Sequence, residues 1–231
     1  MLGTQRLDLA HLKPAVKEQA ERSERLVRMR PLGREAVARM ADALGLDAEI
    51  SRLDVSNLTH GHPLATRYLI QALLHADDEG RKHLLDGGMA FDGDIESVYT
   101  SAWREISGDS DAQNVLGFIA RAEAPMPLQL LATVVAEHAI ERALVVARHL
   151  LRETSQGWSV FHNSFRLFLI AQPRMRLGSI DADYSKRVYR DLAELAKSAP
   201  PESSQRWLEL RYRARAGDPN DVLTLAMPDR F

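Results

Sequence analysis

The chain has 231 residues, of which 45% are hydrophobic, so it can bury a substantial core and is close to the upper limit for one compact domain. Thirty basic and thirty-two acidic side chains give a net charge of -2, which does not favour nucleic acid or an anionic membrane as a partner. The chain has no cysteine, which excludes disulfides, thiolate metal sites and a cysteine nucleophile. No run approaches the roughly 20 apolar residues that span a bilayer. We expect a soluble cytoplasmic protein with no membrane partner.

The first ninety residues read as helices separated by short breaks. Apolar residues at helical spacing predict a surface helix over Asp8–Arg25 and a second helix that ends at Gly45. A shorter helix is expected over Asp47–Leu58. Pro63 is a favoured first-turn residue and therefore predicts the start of a further helix.

Two groups of polar residues in this region could suggest metal ligands. His60 and His62 are two residues apart, a spacing that does not place both imidazoles on one helix face. Asp92 and Asp94 precede an apolar-spaced helix, and a calcium loop would need several more oxygen ligands. Capping of the helix N-terminus is the better interpretation of this acidic pair, and we expect no metal site.

The segment from Ala112 to Ile170 has the element order of a winged-helix module. A turn at Ser155–Gly157 joins two β-prone runs into the one convincing hairpin. The expected elements are helices over Val115–Ala122, Leu128–Ala136 and Ile140–Leu151, strands over Leu150–Thr154 and Trp158–Phe161, and a helix over Ser164–Ile170. Five aromatic residues have the spacing of a packed core, namely Tyr99, Trp103, Phe161, Phe165 and Phe168.

The tail contains helices near Asp183–Ser198 and Ser203–Ala216, with a third starting near Asp218. The predicted fold is mainly α: a helical domain, then a winged-helix domain with a small β-hairpin, then a helical-hairpin tail that could begin a repeat array. The expected boundaries are 1–90, 91–173 and 174–231. The tail is the part expected to bind protein partners.

Motifs that would support catalysis are absent from the sequence. A phosphate-cradling loop needs GxxxxGK[ST], and neither this string nor GxGxxG or GxSxG occurs in the 231 residues. The chain therefore contains no recognisable machinery for hydrolysing a nucleotide. We expect no catalytic residues and no enzymatic activity of the chain by itself.

Two stretches together nevertheless resemble a known class of protein. RLVRMRPLGREAVARMADALG, followed by LTHGHPLATRYLIQALL, is similar to the segment after the sensor strand of STAND-class signal-transduction ATPases, which include NACHT and NB-ARC proteins. MLGTQR resembles the end of that strand, and FDGDIESVYTSAWREI resembles the helix that links the next two domains. On this match Gly61, His62 and Pro63 form the family's G-x-P motif, whose proline packs on the adenine of the bound nucleotide.

A second motif of that class has a counterpart later in the chain. VFHNSFRLFL resembles the bacterial form of the Met-His-Asp type motif at the end of the winged-helix domain. The resemblance implies that His162 approaches the β-phosphate of ADP and holds the closed state, while Asn163 replaces the aspartate of the motif. ADP or ATP with Mg would be bound mainly by an ATPase core, in cis or on an adjacent polypeptide. No cofactor is expected for this chain alone.

Other interpretations of the same residues remain open. Gly61 and Pro63 could form an ordinary loop at a helix start, and His162 could simply satisfy a backbone group. The chain could also be a winged-helix DNA-binding regulator, although nucleic acid is not the expected partner, or a helical scaffold without nucleotide binding. The DNA interpretation predicts a positive face from Arg142, Arg148 and Arg152. The nucleotide interpretation predicts that Pro63 and His162 face one shared cleft.

Overall fold

The computed structural model describes residues 30–47, 52–89, 91–176, 178–200 and 204–217. Within these ranges the protein is mainly helical, with a small two-stranded antiparallel hairpin, as the sequence predicts. The predicted surface helix over Asp8–Arg25, the expected end of a sensor strand and the third tail helix lie outside the described residues.

The elements follow one another with short connections. The α-helices are α1 (Arg34–Leu44), α2 (Arg52–Thr59), α3 (Pro63–His75), α4 (Asp78–His83), α5 (Ile95–Glu105), α6 (Ser110–Arg121), α7 (Leu128–Leu131), α8 (Glu137–Ala147), α9 (Asn163–Ala171), α10 (Tyr184–Ser198) and α11 (Leu208–Ala216). The strands are β1 (Leu151–Thr154), β2 (Gly157–Val160), β3 (Met175–Arg176) and β4 (Ser179–Ile180). Shorter turns are a π-helical turn at Leu84–Gly88 and 3₁₀ turns at Arg148–Leu150 and Ser204–Trp207.

The predicted helix ends that depend on local chemistry are confirmed. α1 ends at Gly45, whose φ of 84° lies in the left-handed region that glycine adopts at little cost. α3 begins at Pro63, where the missing N–H leaves no unpaired donor. The side chain of Asp94 accepts a hydrogen bond from the N–H of Glu96, so this carboxylate caps α5 as predicted.

One predicted helix is shorter than expected. The helix predicted over Leu128–Ala136 ends at Leu131. The Thr133 hydroxyl donates to the carbonyl of Leu130 at 2.7 Å, which gives this carbonyl a local partner outside the helical pattern. The β3–β4 hairpin was not predicted, because two-residue strands carry no periodic signal in the sequence.

The apolar core consists of two clusters that meet at α3. The smaller cluster joins α1 and α2 to one face of α3, where Leu69, Ile70 and Leu73 are fully buried. The larger cluster contains Leu64, Ala65 and Tyr68 of α3 together with residues of α5, α6, α8, the β1–β2 hairpin and α9. The first half of α3 therefore packs in the larger cluster and its second half in the smaller one.

The β1–β2 hairpin leads directly into α9. Leu151 pairs with Val160 and Thr154 with Gly157, and an isolated bridge between Met126 and Trp158 adds a third segment to the ladder. The N–H of Phe161 donates to the carbonyl of Leu150 at 3.1 Å and closes the ladder. Only one residue, His162, then separates Phe161 from the first residue of α9. The hairpin therefore sets where this histidine lies.

The tail packs on α6 through two buried arginines. The guanidinium carbons of Arg121 and Arg174 lie 5.1 and 4.9 Å from the ring centroid of Tyr184. Arg174 donates to the carbonyl of Gln113 at 2.7 Å, and Arg121 donates to the hydroxyl of Ser185 at 2.8 Å. Aromatic contacts and neutral acceptors therefore offset the cost of burying two guanidinium groups.

Gly117 provides a test of how tightly α6 packs against the tail at Tyr184. An added methyl group at Gly117 would overlap the Tyr184 hydroxyl, so we expect Gly117→Ala to lower the free energy of unfolding by about 1–3 kcal/mol. Gly108→Ala is the control, because nothing lies within 4 Å of a methyl group there. Its stability should match or exceed that of the wild type in urea denaturation.

The double variant Gly117→Ala/Tyr184→Phe should recover part of the loss, because the Tyr184 hydroxyl makes no hydrogen bond within the described structure. Replacing glycine by alanine inside a helix usually stabilises it. Such an effect of Gly117→Ala would contradict the close contact between α6 and Tyr184.

Candidate functional site

Gly61 forms the turn that leads into α3, and its conformation has a structural cause. Its φ is 66°, and an added Cβ would overlap the carbonyl of Leu32. The N–H of Leu32 donates to the carbonyl of Gly61 at 2.7 Å, which ties the turn to the segment before α1. A glycine is needed here by the fold, whatever binds nearby.

His62 caps the N-terminus of α3. Its Nδ1 accepts a hydrogen bond from the N–H of Ala65 at 3.2 Å, and its ring lies 4.7 Å from the ring of Phe91. An Nδ1 that accepts a hydrogen bond carries no proton, so the neutral imidazole carries its proton on Nε2. Pro63 follows as the first helical residue and is half-buried.

His162 caps the N-terminus of α9 in the same way. Its Nδ1 accepts from the N–H of Ser164 at 3.3 Å and lies 2.7 Å from the Ser164 hydroxyl oxygen. Its side chain is exposed, whereas that of His62 is half-buried. Both histidines therefore use Nδ1 for capping and keep Nε2 available as a donor.

The two histidine-capped helix ends lie near each other although they are 100 residues apart in sequence. Burial lowers the pKa of His62, and the charge of His162 lowers it further. A direct contact supports this proximity, because the guanidinium carbon of Arg67, one turn into α3, lies 3.9 Å from the ring centroid of Phe161, the residue before His162. The structure thus brings His62, between Gly61 and Pro63, to the same region of the surface as His162. We call these two helix ends, with His62, Pro63 and His162, the paired-cap site.

Cationic side chains surround the paired-cap site. The guanidinium carbon of Arg67, one turn along α3 from Pro63, lies 3.9 Å from the ring centroid of Phe161. Burial lowers the pKa of Arg67, and the charge of Arg152 on β1 acts in the same direction. Neither guanidinium forms an ion pair with any residue of the described ranges. Within the described ranges, these two arginines therefore add positive charge near the site that no ion pair compensates.

A hydrogen-bonded chain connects His162 to the buried core. The hydroxyl oxygens of Ser164 and Tyr99 are 2.6 Å apart, and the same Ser164 hydroxyl contacts His162 Nδ1. Tyr99 lies on α5 and is fully buried, with ring centroids 5.0 Å from Phe165 and 5.6 Å from Phe168. The core role predicted for these aromatic residues is confirmed by this packing.

The sequence does not predict the roles of all residues in the site. For Arg67 it favours a surface salt bridge over a phosphate contact, and Arg152 is predicted only as part of a DNA-binding face. Ser164 is predicted only as a helical residue. One signal was available for Ser164: a serine two residues after a histidine, at the start of a helix, can reach back to the capping side chain. The association of Arg152 with α3 depends on tertiary structure and leaves no local signature.

Two of the three arginines predicted to form a DNA-binding face have partners within the protein. Arg142 donates to the carbonyl of Glu105 at 3.2 Å. Arg148 pairs with Glu153 at 3.3 Å and lies over the ring of Trp158. Arg152 forms no ion pair with the residues that the structure describes. The helix before the hairpin, α8, also carries two exposed glutamates, Glu137 and Glu141, which oppose contact with phosphates.

A separate cavity of about 610 Å³ opens at the other end of α3. Its lining includes His75, Asp92, Glu105 and His149. Burial, followed by the charge of His75, lowers the pKa of His149 to about 4, so this imidazole is neutral at pH 7. The lining mixes both signs of charge with apolar groups and does not favour one class of ligand. The geometry and charge of the paired-cap site, in contrast, favour an anionic ligand.

Within the described ranges, no group of three or more histidine or carboxylate side chains has the arrangement needed to hold a metal ion. None of the helices in these ranges combines the length and the apolar character needed to cross a bilayer.

Comparison with known proteins does not assign the chain to a family. No family model matches the sequence, no curated protein matches it, and no solved structure matches the fold.

The structural role of Gly61 can be separated from ligand binding by comparing two glycines. Both Gly45 and Gly61 have a left-handed φ, but only Gly61 has backbone atoms in the space of an added methyl group. We expect Gly45→Ala to cost about 1 kcal/mol and Gly61→Ala about 3 kcal/mol or more in urea denaturation without ligand. Equal losses would mean that the Leu32 contact does not constrain the turn.

Proposed function

We propose that this chain is the non-catalytic regulatory part of a STAND-type nucleotide-dependent signalling switch. In this proposal residues 1–90 form the lid-like helical domain and residues 91–173 form the linker helix and winged-helix domain. Residues 174–231 begin a repeat-like tail that binds protein partners. The paired-cap site contributes adenine and phosphate contacts to ADP or ATP, which an ATPase core binds for the most part.

The observation that carries the proposal is the proximity of two histidine-capped helix N-termini. The first turn of a helix leaves backbone N–H groups without intrahelical partners, and the helix dipole places partial positive charge there. α3 and α9 each provide such an end, with an imidazole whose Nε2 can donate, and the contact of Arg67 with Phe161 connects the two regions. This combination favours an anionic ligand with several acceptor oxygens, such as a phosphate group.

The charge balance around the site supports the same conclusion. Burial lowers the pKa values of His62 and Arg67, and positive charge on His162 and on Arg152, respectively, lowers them further. An anion between these groups would replace mutual repulsion by attraction. Asn163 occupies the position where the family motif has an aspartate, and its Oδ1 accepts from Arg166 at 3.0 Å. This substitution leaves the positive site without a local carboxylate.

The three motif residues would have different roles. Gly61 shapes the turn through its contact with Leu32 and need not touch the ligand. Pro63 offers part of an apolar ring at the start of α3, which suits packing on a planar base. His162 is exposed and can donate from Nε2 to a phosphate oxygen. None of these groups performs chemistry on the nucleotide, so their contacts would bias a domain closure between two states.

Calorimetric titration with ADP-Mg tests the proposal. The ligand is titrated into the chain alone and into its mixture with the polypeptide encoded immediately upstream, the expected source of an ATPase core. We expect tighter binding in the mixture and a loss of about tenfold or more in affinity for His162→Ala, because a hydrogen bond to a charged oxygen is removed.

His138→Ala is the matched control, since His138 is an exposed histidine on α8 outside the paired-cap site. Its affinity should equal that of the wild type. Absence of ADP binding in both settings, or equal affinities of the His162 and His138 variants, would refute the nucleotide assignment.

A further inference from the structure

We infer that Tyr99 and Ser164 are positioning residues, which hold the His162 imidazole so that its Nε2–H points away from α9 and towards a ligand. The inference deepens the proposed function and rests on it for the identity of the ligand as a phosphate group. The orientation of the imidazole itself is a property of the chain without ligand.

The backbone N–H of Ser164 fixes the direction of the hydrogen bonds, because it can act only as a donor. The backbone N–H of Ser164 can only donate, so His162 Nδ1 must present its lone pair, at 3.3 Å. The Ser164 hydroxyl, 2.7 Å from the same nitrogen, then also donates to it. The serine oxygen is left to accept from the Tyr99 hydroxyl at 2.6 Å. The chain of donors therefore runs from Tyr99 to Ser164 to His162.

The burial of Tyr99 holds this row of hydrogen bonds in place. Tyr99 is fully buried on α5 and its hydroxyl would lose a hydrogen bond if Ser164 moved, so the two are held together. Ser164 is half-buried at the start of α9, while His162 is exposed. The core thus fixes one side of an imidazole whose other side faces solvent.

Three helices contribute to this arrangement. Tyr99 belongs to α5, Ser164 to α9, and Tyr68 of α3 lies edge-on to Tyr99 with ring centroids 6.2 Å apart. A movement of α5 relative to α9 would break the contact between Tyr99 and Ser164 and release the imidazole. The packing of α5 against α9 therefore determines whether His162 is oriented for the proposed phosphate contact.

Tyr68 provides a close control for Tyr99. Both are fully buried tyrosines in the same aromatic cluster. The Tyr68 hydroxyl interacts with that of Tyr99 but makes no hydrogen bond to Ser164, whose partner is Tyr99. Tyr68→Phe and Tyr99→Phe therefore remove the same atom from neighbouring sites, but only the second change removes a hydrogen bond to Ser164.

The test combines imidazole ¹⁵N spectra of the full chain with ADP-Mg titration in the presence of the upstream polypeptide. In Tyr99→Phe and Ser164→Ala, the His162 Nδ1 signal should move towards that of an imidazole nitrogen without a hydrogen bond. The affinity for ADP should fall about threefold to tenfold, as expected for a weakened hydrogen bond. Tyr68→Phe should change neither quantity.

The outcomes separate this inference from the proposed function. If the Nδ1 signal moves as expected in the two variants but the wild-type protein does not bind ADP, the positioning role is supported and the nucleotide assignment is refuted. Wild-type binding of ADP with no change of the Nδ1 signal in Tyr99→Phe and Ser164→Ala overturns the positioning role. Equal effects of Tyr68→Phe and Tyr99→Phe would also overturn it, because a general loss of packing would then explain the data.

Discussion

The contact of Tyr99 with its neighbours is the constraint on which the candidate site depends. Its ring packs against Tyr68 of α3 and against Phe165 and Phe168 of α9, and its hydroxyl contacts Ser164 at 2.6 Å. A tyrosine buried between helices contributes apolar area, and its hydroxyl forms a hydrogen bond, which depends on orientation as apolar packing does not. The position of α9 relative to α3, and hence of His162 relative to His62, follows from this contact.

Electrostatics support the function that we propose for this geometry. Two helix ends with capping histidines lie near two arginines that form no ion pair in the part of the chain that the structure describes, on a protein whose net charge is only -2. Like charges that are held together cost free energy, and a bound anion would offset this cost. The paired-cap site is thus better suited to ligand contact than to stabilising the fold. In the proposed switch, this is the energy through which a nucleotide would favour the closed state.

Local chemistry predicts much of the fold, whereas contacts distant in sequence are not encoded in any local pattern. Pro63 and Asp94 mark helix starts, and the turn at Gly157 marks the hairpin, because each acts on its immediate neighbours. The early end of α7 depends on the Thr133 hydroxyl, which competes with the helical pattern. A shared cleft for Pro63 and His162 is predicted only by a family resemblance. The buried pair Arg121 and Arg174 could not be predicted, since arginine is ordinarily a surface residue.

Histidine-selective NMR during titration with inorganic pyrophosphate tests the central claim that the paired caps form one anion site. The imidazole signals of His62 and His162 should shift together, with the same midpoint, because one ligand would contact both helix ends. His138, exposed on α8, should not respond at that concentration. Shifts of His162 alone, or shifts of all three histidines with a common midpoint, would contradict a shared site at the ends of α3 and α9.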